Sequence, residues 1–187
     1  MRFVVVYDAC VLYPAALRDL LIWLAKTGLF AARWTDTIHC EWTRAVLRER
    51  PELEAQLART VTLMNTAVSD CLVQHYEPLI AGLELPDPDD RHVLAAAIRA
   101  GAQTMITTNL KDFPEAGLAP FGIEAVHPDR FVAQQFDLDK AAVLSAVRRQ
   151  RANLRKPPRS ADELLSTLEA QGLVVTADLL RPFAELL

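Results

Sequence analysis

The run Phe3 to Tyr7, "FVVVY", constrains this chain more than any other stretch: five apolar residues without alternation, β-branched or aromatic, suit a strand buried on both faces. Such strands belong to parallel sheets covered by helices. The run ends on a lone carboxylate, Asp8, followed at once by "ACVLYP". In an open α/β sheet ligands bind outside the carboxyl ends of the strands, so Asp8 either faces that crevice or caps the next helix. Both readings stand at this level.

The remainder continues the alternation of strand and helix. Leu17, Leu20, Leu21 and Leu24 recur at helical spacing, with Gly28 as the stop. Further helices are expected from near Asp36 to near Pro51, over roughly Glu52 to Val68, and through "RHVLAAAIRA" to Gly101. "TMIT" and "IEAV" read as strands, "CLV" as a short apolar piece and "NLKDFP" as a turn. This order predicts an α/β fold with a parallel sheet and helices on both sides. From Phe136 onward three helices without a strand are expected, divided by "RKPPRS" and Gly172, which places a boundary between residues 1–135 and a helical extension over residues 136–187.

Composition narrows the class. With 187 residues, 51% of them hydrophobic, the chain can bury a substantial core. A net charge of −4 excludes a global basic field, so contact with a nucleic acid would need a local patch. Three scattered cysteines, Cys10, Cys40 and Cys71, lack zinc spacing and fit a reducing cytoplasm; they are assigned no role. "LLIWLA" is too short to span a bilayer, so a soluble chain is expected. Trp23, Trp34 and Trp42 read as core, and His39, His75, His92 and His127 as solvated or capping residues.

Three more acids fall in places that match Asp8. On the helix from Asp36, Glu41 shares the stripe of Ile38, Trp42, Ala45 and Val46, either facing the core or snorkelling from its edge. In "DPDDRHVLAAA", Asp87 suits the N-cap and Pro88 the first helical position. Asp90 heads the buried stripe of Val93, Leu94, Ala97 and Ile98. "TMITTNLKDFP" delivers Thr107, Thr108 and Asn109 to a strand end, with Asp112 three residues on, an arrangement that a capping box would also explain. Carboxylates gathered without a cation in register repel, and the common remedy is a hard divalent ion such as Mg²⁺ or Mn²⁺. Such an ion acidifies bound water and stabilises charge on phosphate oxygens, so metal-dependent phosphodiester cleavage is the leading chemistry.

In order and spacing, "YDACVLYPAALRD", "RWTDTIHCEW", "LPDPDDRHVLAAAIRAGA" and "TTNLKDFP" resemble PIN-domain ribonucleases, in particular the VapC-like toxins of toxin–antitoxin pairs. The resemblance covers about residues 1–130. It implies a Rossmann-like three-layer α/β/α fold and an endoribonuclease needing Mg²⁺ or Mn²⁺. By position, Asp8, Glu41 and Asp90 are the first three acids. Many members carry Asp where Asn109 stands; here Asp112 would substitute for that charge, and the fourth role is shared between Asn109 and Asp112. Asp8, Asp90 and Asp112 would hold the metal, Glu41 would orient or deprotonate water, and Thr107 would orient the loop. The resemblance further implies an RNA substrate and a small antitoxin, and it admits a homodimer. A PIN fold that only binds RNA or protein is the alternative. The run "RRQRANLRKPPR" places Arg148, Arg149, Arg151, Arg155, Lys156 and Arg159 together, as contacts for RNA phosphates or as a solvated helix end.

Overall fold

The computed structural model describes residues 3–155 and 157–187. Its strands are β1 (Val4–Tyr7), β2 (Ala31–Arg33), β3 (Thr104–Ile106) and β4 (Glu124–Val126). In chain order the α-helices are α1 (Ala9–Leu12), α2 (Ala15–Ala25), α3 (Asp36–Glu49), α4 (Glu54–Ala67), α5 (Glu77–Ile80) and α6 (Arg91–Ala100). They continue with α7 (Glu115–Leu118), α8 (Pro128–Leu138), α9 (Lys140–Asn153), α10 (Ala161–Ala170) and α11 (Val174–Leu180). Among the described residues no helix is long and apolar enough to cross a membrane.

Two compact units result. The first contains residues 1–13 and 30–127, the second residues 14–29 and 128–187. This division differs from the sequence boundary at 135/136. Composition does not register that α2, although early in the chain, packs on α9 and α10.

In the first unit a four-stranded parallel sheet runs in the order β2-β1-β3-β4. The expected α/β architecture with a parallel sheet is therefore present. Val5, Val6 and Tyr7 are fully buried, as an unalternated run requires, and Tyr7 stacks on Trp34 with ring centroids 5.9 Å apart. Since β1 leads to β2 on one side while β3 and β4 lie on the other, the chain reverses its direction across the sheet between β1 and β3. A crevice at the carboxyl ends of those strands is the usual ligand position. Helix α6 packs on both strands through its apolar face and ends at Gly101, whose φ of +63° suits a residue without a Cβ. The "CLV" segment is less than a strand: Leu72 makes one isolated parallel bridge to Trp34.

The second unit is helical. Leu17, Leu20, Leu21 and Leu24 of α2 are fully buried, as are Val143 and Val147 of α9. Gln150 ties the two helices by donating to the Ala16 carbonyl at 2.8 Å. Ser160 and Glu163 form a reciprocal capping box that starts α10. The last expected helix is shorter than its apolar pattern suggests: α11 stops at Leu180, and residues Arg181–Leu186 tighten into a 3₁₀ turn around Pro182, which has no N–H to continue the ladder.

Candidate active site

Register builds the site. Tyr7 is paired with Ile106, and the Asp8 N–H donates to the Ile106 carbonyl at 3.0 Å, so the residues that follow β1 and β3 emerge side by side. Asp8 is 6% exposed, and its carboxylate is held on both oxygens. Oδ1 accepts from the Ala9 N–H at 2.6 Å, while Oδ2 accepts the Thr107 hydroxyl at 2.7 Å. Asp8 thus caps α1, and its charge also reaches Asp90, so the cap does not remove it from the company of the other acids. Thr107 in turn accepts the Asn109 N–H at 2.9 Å, which fixes the start of the following loop.

Cys10 joins this cluster although the sequence assigned it nothing. Its thiol donates to Asp8 Oδ2 at 3.1 Å, lies 3.3 Å from the Thr107 hydroxyl and accepts the Thr108 N–H. Burial, then the Asp8 charge, pushes the thiol up to about 11, so it is a neutral donor and no nucleophile.

Asp90 arrives from the 3₁₀ turn Pro88–Asp90, which Asp87 caps by accepting the Asp89 N–H at 2.9 Å. The expected division of labour holds: Asp87 is spent on the cap and Asp90 is left over. Asp90 Oδ2 is buried and has no hydrogen-bond partner. Burial first, then the charges of Asp8, Asp87, Asp112 and Glu41, raise the Asp90 carboxyl to about 6. The electrostatics thereby links all four sequence-derived acids around one group.

Asn109 and Asp112 do not form the capping box that was the alternative reading. Asn109 makes no side-chain cap; its amide donates instead to Asp112 Oδ2 across the 3₁₀ turn Leu110–Asp112. Glu41, half-buried on α3, accepts from His92 Nε2 of α6 at 2.8 Å. His92 is 8% exposed, and His39, 3% exposed, accepts the Trp42 indole N–H and bonds Asn65. Both histidines are therefore interior, contrary to the solvated or capping roles expected of them. Trp34 and Trp42 are core as expected.

Among the described residues no three or more His, Cys, Asp or Glu side chains form a ready-made metal cage. A hard ion such as Mg²⁺ keeps several waters and needs only one or two carboxylates. The unpartnered Asp90 Oδ2, surrounded by acids, supplies an oxygen donor of that kind.

Comparison with known proteins gives this geometry a family. A family model described as "PIN domain" matches residues 4–111, more than half of the chain. The chain belongs to the PIN-domain family. A second model, "VapC50 C-terminal domain", matches residues 128–182. A curated Mycobacterium tuberculosis (strain ATCC 25618 / H37Rv) protein, "Putative ribonuclease VapC50", is 41% identical over 96 residues, which are 51% of this chain and 56% of that protein. The chain thus matches about half the length of this relative. No solved structure matches. The VapC-like resemblance carried by the four sequence blocks is borne out, and so is the three-layer α/β/α PIN fold with helices after it. In this PIN domain the acids stand at the carboxyl ends of β1 and β3 and on the helices beside them.

The basic run lies in the second unit. Arg148, Arg149, Arg155 and Arg159 are exposed. Arg151 is engaged, donating to the Leu187 carbonyl at 2.8 Å and to the Arg159 carbonyl at 3.4 Å. Arg155 sits in an isolated bridge with Pro158. Lys156 lies outside the described residues.

Proposed function

We propose that this chain is a divalent-metal-dependent endoribonuclease and acts as the toxin of a toxin–antitoxin pair. The observation that carries the reading is the bare, raised carboxyl of Asp90 facing the charges of Asp8, Asp112 and Glu41 at the strand ends. The PIN family and the name of the Mycobacterium relative support it. Asp8, Asp90 and Asp112 would hold Mg²⁺ or Mn²⁺. When bound, the ion acidifies water and neutralises charge on the phosphate.

The chain's own residues supply the rest. Thr107, Cys10 and the Ala9 N–H fix the Asp8 carboxylate so that it cannot rotate away from the cluster. Asn109 does the same for Asp112. Glu41 accepts a proton from water as the water oxygen forms a new P–O bond; one ester P–O bond breaks, and the departing oxygen takes a proton from solvent. Exposed Arg148, Arg149 and Arg155 are the candidates for RNA phosphates, with Arg151 limited by its carbonyl bonds. The proposal includes a small antitoxin protein that restrains the enzyme.

Purified chain should cut RNA with Mg²⁺ or Mn²⁺, stop with EDTA, and lose cutting on Asp8→Asn or Asp90→Asn with the fold intact by circular dichroism. Full cleavage by both variants would refute the assignment. No cleavage by the unaltered chain under any divalent ion would favour a PIN fold that only binds.

A further inference from the structure

Glu41 has a problem that the other acids do not. It sits on α3 with a flexible side chain that is 40% exposed, and its charge and that of Asp90 repel each other. Repulsion and hydration both favour a rotamer swung out to water. The side chain nevertheless stays in, with Oε1 held 2.8 Å from His92 Nε2.

The histidine that holds it is an unusual partner for a mere strut. A carboxylate only accepts, so Nε2 must carry the proton, and the other nitrogen, Nδ1, is left buried without a hydrogen-bond partner. Buried ring nitrogens are normally both satisfied. Here the ring orientation serves Glu41 at the expense of its own Nδ1. His92 also comes from the first turn of α6, two residues beyond Asp90, so the same helix start that delivers one acid to the crevice restrains another. Packing of α6 on β1 and β3 makes that restraint rigid.

We infer that His92 is a positioning residue: its Nε2–H tethers Glu41 Oε1 against the repulsion of Asp90 and leaves Glu41 Oε2 to face the attacking water. The inference rests on the ribonuclease reading for the role of Glu41, while the tether itself can be read without activity. A freed Glu41 spends most of its time turned out. Removal of the tether therefore lowers the turnover step, with little change in how RNA or metal binds.

The test uses the full chain with Mn²⁺ and a short RNA. His92→Ala should lower kcat at least tenfold, with KM for RNA and the Mn²⁺ dissociation constant each within about twofold of the unaltered chain. His92→Gln, whose amide nitrogen can reach the place of Nε2, should recover most of the loss; His92→Asn, one methylene shorter, should not. Glu41→Gln with His92→Ala should be no slower than Glu41→Gln alone, because the histidine acts only through the glutamate. By ¹⁵N NMR of the imidazole, Glu41→Gln should move the His92 Nε2 resonance. Losses that multiply in the double variant, undiminished kcat in His92→Ala, or an unmoved Nε2 resonance would each overturn the tether. Absence of cleavage by the unaltered chain would instead fall on the ribonuclease reading, with the NMR shift still deciding the contact.

Discussion

Asp90→Asn should make the protein more stable at neutral pH. In the folded chain the Asp90 carboxyl is raised from 3.8 to about 6, by burial and then by its acidic neighbours. A shift of about two units corresponds to a ceiling of about 3 kcal/mol. Asp90 is half-buried, and of its acidic neighbours only Asp8 is buried while Asp87, Asp112 and Glu41 reach solvent, so screening leaves about 1 kcal/mol. The sign follows from proton binding: between the unfolded value and about 6 the folded state holds the proton more tightly than the unfolded chain. Stability from this group is full below about pH 3.8 and is lost as pH rises through about 6. A neutral Asn escapes that loss. Urea unfolding at pH 7.5 with EDTA should show a gain of about 1 kcal/mol for the variant, or about 2–4 °C in Tm. At pH 4 the gain should shrink towards zero. Mn²⁺ should raise the Tm of the unaltered chain more than that of the variant, reversing the order at high metal concentration. A variant less stable at pH 7.5, or a gain independent of pH, would refute the account of a strained, bare carboxylate.

Three further outcomes are expected. Thr107→Val removes the hydroxyl that Asp8 Oδ2 accepts and should cost about 1.5–3 kcal/mol in urea unfolding, whereas Thr107→Ser should cost little. Burial lowers the His39 pKa; its stabilising contribution is present above the unfolded value near 6.5 and is lost as pH falls towards the folded value, so His39→Gln should flatten the acid side of the stability profile. Replacing exposed Arg148 and Arg149 by Gln should weaken RNA binding and reduce the log–log salt slope by about 1.4 units, measured by fluorescence anisotropy; an unchanged slope would remove them from the RNA contacts.

Legibility in the sequence followed locality. The strand before Asp8 could be read because its signal is contained in five consecutive residues, and Asp90 because a cap and a helical stripe surround it within twelve. By contrast β2 is only "AAR", too short and too plain to announce itself; its place in the sheet comes from pairing with β1. Helix α8 opens at Pro128 with a mixed face on which Asp129 and Gln135 are buried beside Phe131 and Val132, and that pattern hid it. The clasp of Asp8 by Thr107 spans 99 positions, and the bond from His92 to Glu41 spans 51. Neither partner marks the other in sequence. Cys10 was closer to hand: two positions past Asp8 on the first turn of a capped helix, a small donor can fold back onto the capping carboxylate.

The same long-range pairing has a consequence during synthesis. β1 can pair early with β2, but its other edge must wait for β3, and the buried face of α2 must wait for α9, so one edge of the strand and the face of α2 both lack their partners for about 100 residues of translation. At the pace of a ribosome that delay is about 5–20 s. For that interval "FVVVY" and the leucines of α2 are uncovered apolar surface, a natural target for a holdase chaperone. The carboxylate crevice has no existence on the nascent chain either, because Asp8 is clasped only after β3 has emerged. A chain stalled before Thr107 would carry its first acid with only its neighbours Ala9 and Cys10 to hold it.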